Sequence, residues 1–243
     1  MDNSAAKRNK REKFFLNFVV NGLLAAMILV IFAVTLAPRI KAVSNHENDG
    51  AIYRGNVGSK NIALMVNVYL GAEYIDGMLD ILSRENAHIT FFVGGAWAAG
   101  NDGYVVKIKD AGHELGNHGY YHKDHKLINE ARNKEEIFIT HKLIESIAGV
   151  SMTLFAPPGG SFGKTTVKAA QNLGYKTIMY SKDTVDWRDK DAELIYARAA
   201  KNLKNGDLIL MHPTEHTLAA LPRIIQTAKA QGFKITTVSE TIA

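Results

Sequence analysis

From residue 61 to residue 238 short apolar runs alternate with amphipathic stretches, and this rhythm restricts the fold more than any other feature of the chain. Residues 61–69 (NIALMVNVY) read as a buried strand, and 73–86 carry Ile75, Met78, Leu79 and Leu82 at helical spacing. Residues 89–93 form a second strand candidate closed by Gly94-Gly95, 104–111 a short helix, and 113–116 a brief strand. A long amphipathic helix is expected over 129–148, after which Leu154-Phe155 runs into the turn Pro157-Pro158-Gly159-Gly160. The second half keeps the same order, with helices over 165–173, 192–203 and 217–231 and strands over 175–180, 208–211 and 233–238. Such alternation predicts an α/β domain with a mainly parallel sheet. About seven strands favour a closed or distorted barrel whose chemistry collects at the C-terminal ends of the strands. Periodicity alone does not separate that from an open sheet.

The strand ends carry a pointed set of side chains. His118-Gly119-Tyr120-Tyr121-His122 holds two histidines four residues apart. On a helical turn the two imidazoles project to one side and reach one metal ion; the alternative is a pair of surface histidines. The chain has no cysteine, so any metal site must use His, Asp, Glu or Asn. Further strand ends supply 67–73, Pro157 to Gly160, Asp183 to Trp187, and His212-Pro213.

Over residues 52–243 this set resembles the polysaccharide deacetylases of the NodB homology type, carbohydrate esterase family four. The family's histidine motif corresponds to His118 and His122, and its Thr-Phe-Phe segment to Thr90-Phe91-Phe92. Its Arg-x-Pro turn corresponds to Ala156-Pro157-Pro158, its Asp-x-x-Asp-Trp motif to Asp183-Thr184-Val185-Asp186-Trp187, and its Leu-x-His motif to Leu210-Met211-His212. The resemblance implies a distorted (β/α) barrel and a divalent metal, zinc first, held by His118, His122 and one oxygen ligand. It implies that His212 protonates the leaving amine and that Asp183 or Asp186 tunes that imidazole. Asn67, Pro157, Pro158, Tyr180 and Trp187 would line the substrate groove.

The departures matter as much. The family's first motif is an Asp-Asp pair, one aspartate acting as base and the next binding metal; here the positions read Asn67 and Val68. An amide has no useful basicity, and Val68 has no donor at all. The family's orienting arginine is Ala156. Glu73, past Gly71, is the candidate to re-enter the site as third metal ligand or base, against the plainer expectation of an exposed glutamate at a helix start. His113 and His125 are expected at the surface or in packing, and Asn117 in support of the histidine loop. Two functions stay open. One is an N-deacetylase with a remodelled site acting on N-acetylhexosamines of peptidoglycan or a related glycan. The other is an inactive domain of the same fold that binds cell-wall glycan. An inactive domain has little physical reason to keep both histidines, His212 and the Asp-Trp motif, and that favours the enzyme.

Ahead of the domain lies an uncharged run over 14–37, 24 residues long. At about 1.5 Å per residue it is long enough to cross a bilayer. Basic residues precede it (residues 1–13), which predicts a single-pass anchor with a cytoplasmic N-terminus and an extracytoplasmic domain after a linker over 38–51. A cleaved signal peptide is the alternative. Seven basic and two acidic residues lie in 1–41, which accounts for the whole net charge of +5 and leaves the remainder neutral. A neutral domain offers no electrostatic footprint for nucleic acid, so no nucleic-acid partner is expected.

Overall fold

The structure is a computed structural model that describes Asn17, residues 19–28 and residues 49–243. The chain divides into two compact units, Met1–Ser44 and Asn45–Ala243. In the first, Asn17 and residues 19–28 are helical and exposed. No helix among the described residues is long and apolar enough to cross a membrane. The expected basic tail, the rest of the expected anchor and most of the expected linker lie outside the described residues.

The second unit contains nine strands among the described residues: β1 (Ala51–Ile52), β2 (Asn61–Val68), β3 (Thr90–Val93), β4 (Glu114–Asn117), β5 (Leu154–Phe155), β6 (Lys176–Ile178), β7 (Lys182–Asp183), β8 (Leu208–Met211) and β9 (Lys234–Thr236). Their spatial order is β1-β6-β5-β4-β3-β2-β8-β7, with β9 also paired to β2. Every pairing is parallel. Among the described residues the end strands β1 and β7 do not pair with each other. The result is a curled half-barrel rather than a closed one.

Helices link the parallel strands, as parallel pairing requires. They are α1 (Ile75–Arg84), α2 (Gly95–Gly100), α3 (Asp102–Asp110), α4 (Glu130–Ala148), α5 (Lys164–Asn172), α6 (Ala192–Ala200), α7 (Glu215–Ala230) and the four-residue α8 (Val238–Thr241). The long α4 starts where Asn129 accepts a hydrogen bond from the Arg132 N–H and stops at Gly149, which has φ 68°.

Strand β2 is the centre of the sheet and shows how alternation sets the site. Ile62, Leu64, Val66 and Val68 join the apolar layer under the helices, together with Ile75, Met78, Leu82 and Leu221. Ala63 and Met65 face the other way, into a smaller cluster with Phe92, Leu154, Ala156, Ile178 and Leu210. By the same alternation Asn67 lies on the inner face. Register then aligns the strand ends: Val68 sits opposite Val93, Val93 opposite Asn117, and Asn117 opposite Phe155. On the far side of β2, Val66 sits opposite Met211, and Leu210 opposite Asp183. The loops that follow these positions therefore share one rim.

Candidate active site

The histidine motif does not lie on a helix. His118 and His122 occupy the irregular loop after β4, where Gly119 has φ 72° and His122 has φ 53°, both left-handed. The expectation of a helical turn is corrected, yet the two imidazoles still meet, with ring centroids 5.1 Å apart. The loop is pinned from three sides. Asn117 accepts from the Gly119 N–H (2.9 Å) and donates to the Ile137 carbonyl (2.8 Å). Buried Glu136 accepts from the N–H groups of Tyr120 and Tyr121 at 2.9 and 2.7 Å. Buried His125, held by Asn133 at 2.7 Å, packs on Phe155. His125 and the buried His113 are thus packing residues, and burial pushes the His113 imidazole down to about 4.

His118 is completely buried, and its Nδ1 lies 2.7 Å from the Ala156 carbonyl oxygen. A carbonyl only accepts, so Nδ1 carries the proton and Nε2 presents a lone pair. Among the described residues that Nε2 has no hydrogen-bond partner. Burial, with the neighbouring His122 adding to it, holds the His118 pKa well below the usual histidine range.

The acid side is fully assembled. Asp186 is buried, and its Oδ1 lies 2.7 Å from His212 Nδ1. Its Oδ2 accepts from the His212 backbone N–H and the Thr217 hydroxyl, each at 2.6 Å. Burial alone would raise the Asp186 pKa, but the hydrogen bonds from His212 and Thr217 outweigh it, and the pKa falls. Asp183 accepts from the Val185 N–H (2.8 Å), and burial raises its pKa. Tyr180 lies beside it, pushed up to about 12 chiefly by burial. A Cβ on Gly160 would come within 3.1 Å of the Tyr180 hydroxyl, so the Pro157–Gly160 turn packs against that phenol. Pro157 and Pro158 are buried, and Trp187 stands exposed after β7.

The base side is different. Asn67 is buried, and its Oδ1 has no hydrogen-bond partner among the described residues. Val68 is in the helix-side core. Glu73 is exposed in the 3-10 turn Ala72–Tyr74. Gly71, with φ 74°, sets that turn so tightly against the Pro213 carbonyl that a Cβ would fall within 2.2 Å of its oxygen. Among the described residues no three His, Cys, Asp or Glu side chains come together in a way that could hold a metal, so Glu73 is not brought beside the histidine pair.

What does enter the site is Tyr69, which sequence reasoning passed over. Its ring is stacked on His122 (centroids 3.9 Å, interplanar angle 28°), stands edge-on to His212 (6.0 Å, 88°) and is tilted against His118 (6.1 Å, 36°). No local signal marked it, because the 61–69 run reads as one strand and takes Tyr69 in.

Do these residues fit the family's metal? Imidazole nitrogens about 2.0–2.1 Å from an ion put two tetrahedral ligands' ring centroids roughly 5.2 Å apart. The His118–His122 pair has that spacing, and the orphaned His118 Nε2 suits a ligand atom. Among the described residues no third His, Cys, Asp or Glu joins them. The set fits two ligands and not the three of a catalytic ion.

A family model for polysaccharide deacetylases matches residues 54–178. The chain is 37% identical over 189 residues to the uncharacterised protein YlxY of Bacillus subtilis, covering 78% of this chain and 59% of that one. It is 33% identical over 173 residues to a peptidoglycan-N-acetylglucosamine deacetylase of Bacillus cereus, covering 69% of this chain and 81% of the relative. Its fold matches the crystal structure of BA3943, a CE4 family pseudoenzyme from Bacillus anthracis, with TM-score 0.78 and 34% identity over 81% of this chain and 70% of that one. A mutant of BA3943 is described as having restored enzymatic activity. The chain belongs to the polysaccharide deacetylase family, carbohydrate esterase family four, as a divergent member.

Proposed function

We propose that this protein binds N-acetylated peptidoglycan glycan in a deacetylase-type groove without hydrolysing it through a resident metal. The observation that carries this is strand β2, which turns an uncharged amide, Asn67, toward the groove and buries Val68 under the helices. Neither a base nor an acidic metal ligand is left on that strand end. The exposed Trp187 and the half-buried Tyr180, backed by the buried Pro157-Pro158 turn, would supply apolar surface for a sugar ring or an acetyl methyl. His212, oriented by Asp186, supplies a ring nitrogen beside them. In this reading residues 14–37 tether the domain at the membrane face where cell-wall glycan lies.

A second reading keeps the enzyme: a metal-dependent N-deacetylase whose divalent ion, zinc first, is held by His118 and His122. The orphaned His118 Nε2 favours it. The full-length protein in detergent separates the two. Sedimentation with peptidoglycan that survives chelator, with no acetate released on adding zinc, supports the binding domain. Zinc-dependent acetate release overturns it and establishes the second reading.

A further inference from the structure

Metal-ligating histidines normally donate their second N–H to an oxygen that fixes the ring. His118 has such a partner in Ala156, whereas among the described residues no other residue hydrogen-bonds the His122 ring. What holds His122 is the face of Tyr69, stacked at 3.9 Å. The same phenol ring has its centroid 6.1 Å from that of His118 and 6.0 Å from that of His212, so it stands among the three imidazoles. A four-coordinate ion on the histidine pair needs two more donors. The carbon face of a phenol provides none, and a ring this close to all three imidazoles takes up room beside the pair.

We propose that Tyr69 is an ion-excluding plug: it clamps His122 and keeps a cation off the His118–His122 pair. The absence of an acidic ligand and the presence of this ring are then two barriers to metal binding, and each limits what removing the other alone can gain. Asn67 is neutral, Val68 faces away and Glu73 is exposed, so none of these three supplies an anionic ligand. This rests on the metal-independent reading above and adds to it the residue that enforces it.

The test is calorimetric titration of zinc into the full-length protein without glycan. The forms compared are wild type, Tyr69→Phe and Tyr69→Ala, each alone and with Asn67→Asp. Wild type and Tyr69→Phe are expected to bind zinc alike and weakly, because Phe keeps the ring. Tyr69→Ala should bind about tenfold more tightly, and His118→Ala should reverse that gain. Asn67→Asp alone should gain less than about threefold, and together with Tyr69→Ala about a hundredfold, an excess that marks two coupled barriers. Thermal unfolding shows that each variant is folded, and Tyr69→Ser replaces Tyr69→Ala should the latter fail. Tight zinc in the wild type, zinc lost in Tyr69→Phe (the phenol oxygen as a ligand), or no gain in either small-residue variant would each overturn the plug. Glycan sedimentation is read without zinc, so its failure removes the proposed function and leaves the outcome of this titration standing on its own.

Discussion

The two sides of the groove have met opposite fates. On the β7–β8 side one buried carboxylate, Asp186, receives three hydrogen bonds, from the His212 ring, the His212 backbone and the Thr217 hydroxyl. On the β2 side the corresponding polar groups are an amide with an orphaned oxygen and a valine packed among helices. The difference shows what holds a site residue in place once its chemistry is dispensable. Losing Asp186 would strand three donors in the interior. A carboxylate lost from the end of β2 strands far less: Val68 belongs to an apolar layer, and the Asn67 Oδ1 is the atom there left without a partner among the described residues. Retention of the Asp-Trp motif and of His212 therefore has a structural reason. For Asp186 and His212 the sequence argument that an inactive domain has little cause to keep them loses its weight, while for His118, His122 and the exposed Trp187 it stands.

The largest expected effect comes from forcing a carboxylate back where the family has its metal ligand. Val68→Asp places an acid with no partner in the helix-side core and should cost about 4 kcal/mol or more in metal-free buffer. Urea denaturation of the two forms measures it. A loss below about 1 kcal/mol would mean that the residue-68 side chain can swing into the groove, and the two sides would then be less different than the packing indicates.

Next comes the intact side. Asp186→Ala should cost about 3 kcal/mol, since each stranded buried donor costs roughly 1–3 kcal/mol and some relaxation is expected. Thr217→Val, which removes one donor together with its need for an acceptor, should cost less than half of that. Equal costs for the two would show that Thr217, and not the carboxylate, holds the loop. If Asp186→Ala were tolerated with stability unchanged, the structural reason for retaining the motif would be gone and a catalytic one would regain its force.

Much of this architecture was legible because it rests on period and composition. The 61–69 run is apolar without a break from Ile62 to Val66, as suits a strand covered on both faces, and β2 fills the run but for its last residue. Helix α4 was read to within one residue of its start because Asn129 is a good cap. Strand β7 is two residues long and gave no pattern, and α2 is a Gly/Ala-rich turn (GAWAAG) that looked like a strand stop. The histidine spacing suggested a helix, but Gly119 and His122 in left-handed conformations bring the rings together by a loop. Pairing of motif residues was readable as well, and the Asp186–His212 contact matches what the resemblance implied. Tyr69 was not, because alternation stops at Val68 and nothing local says where the next side chain turns.

The smallest expected effect concerns Glu73, the carboxylate that sequence reasoning offered as a replacement for the missing pair. It is exposed, it starts a helical segment, and Gly71 packed against Pro213 fixes the turn that carries it. Bringing it to the histidines would require Gly71 to leave that contact and the 3-10 turn to unwind. A glutamate in such a first turn gains only a weak interaction with the helix dipole, about 0.3–1 kcal/mol at low ionic strength and screened by salt. Glu73→Gln should therefore change stability by less than about 0.5 kcal/mol in physiological salt, with zinc affinity and glycan sedimentation unchanged. The informative background is Tyr69→Ala. If Glu73→Gln weakens zinc binding there but not in the wild type, the ring was holding the glutamate out of the groove as well as the ion. The two sides would then be separated by one aromatic side chain rather than by the loss of their acids.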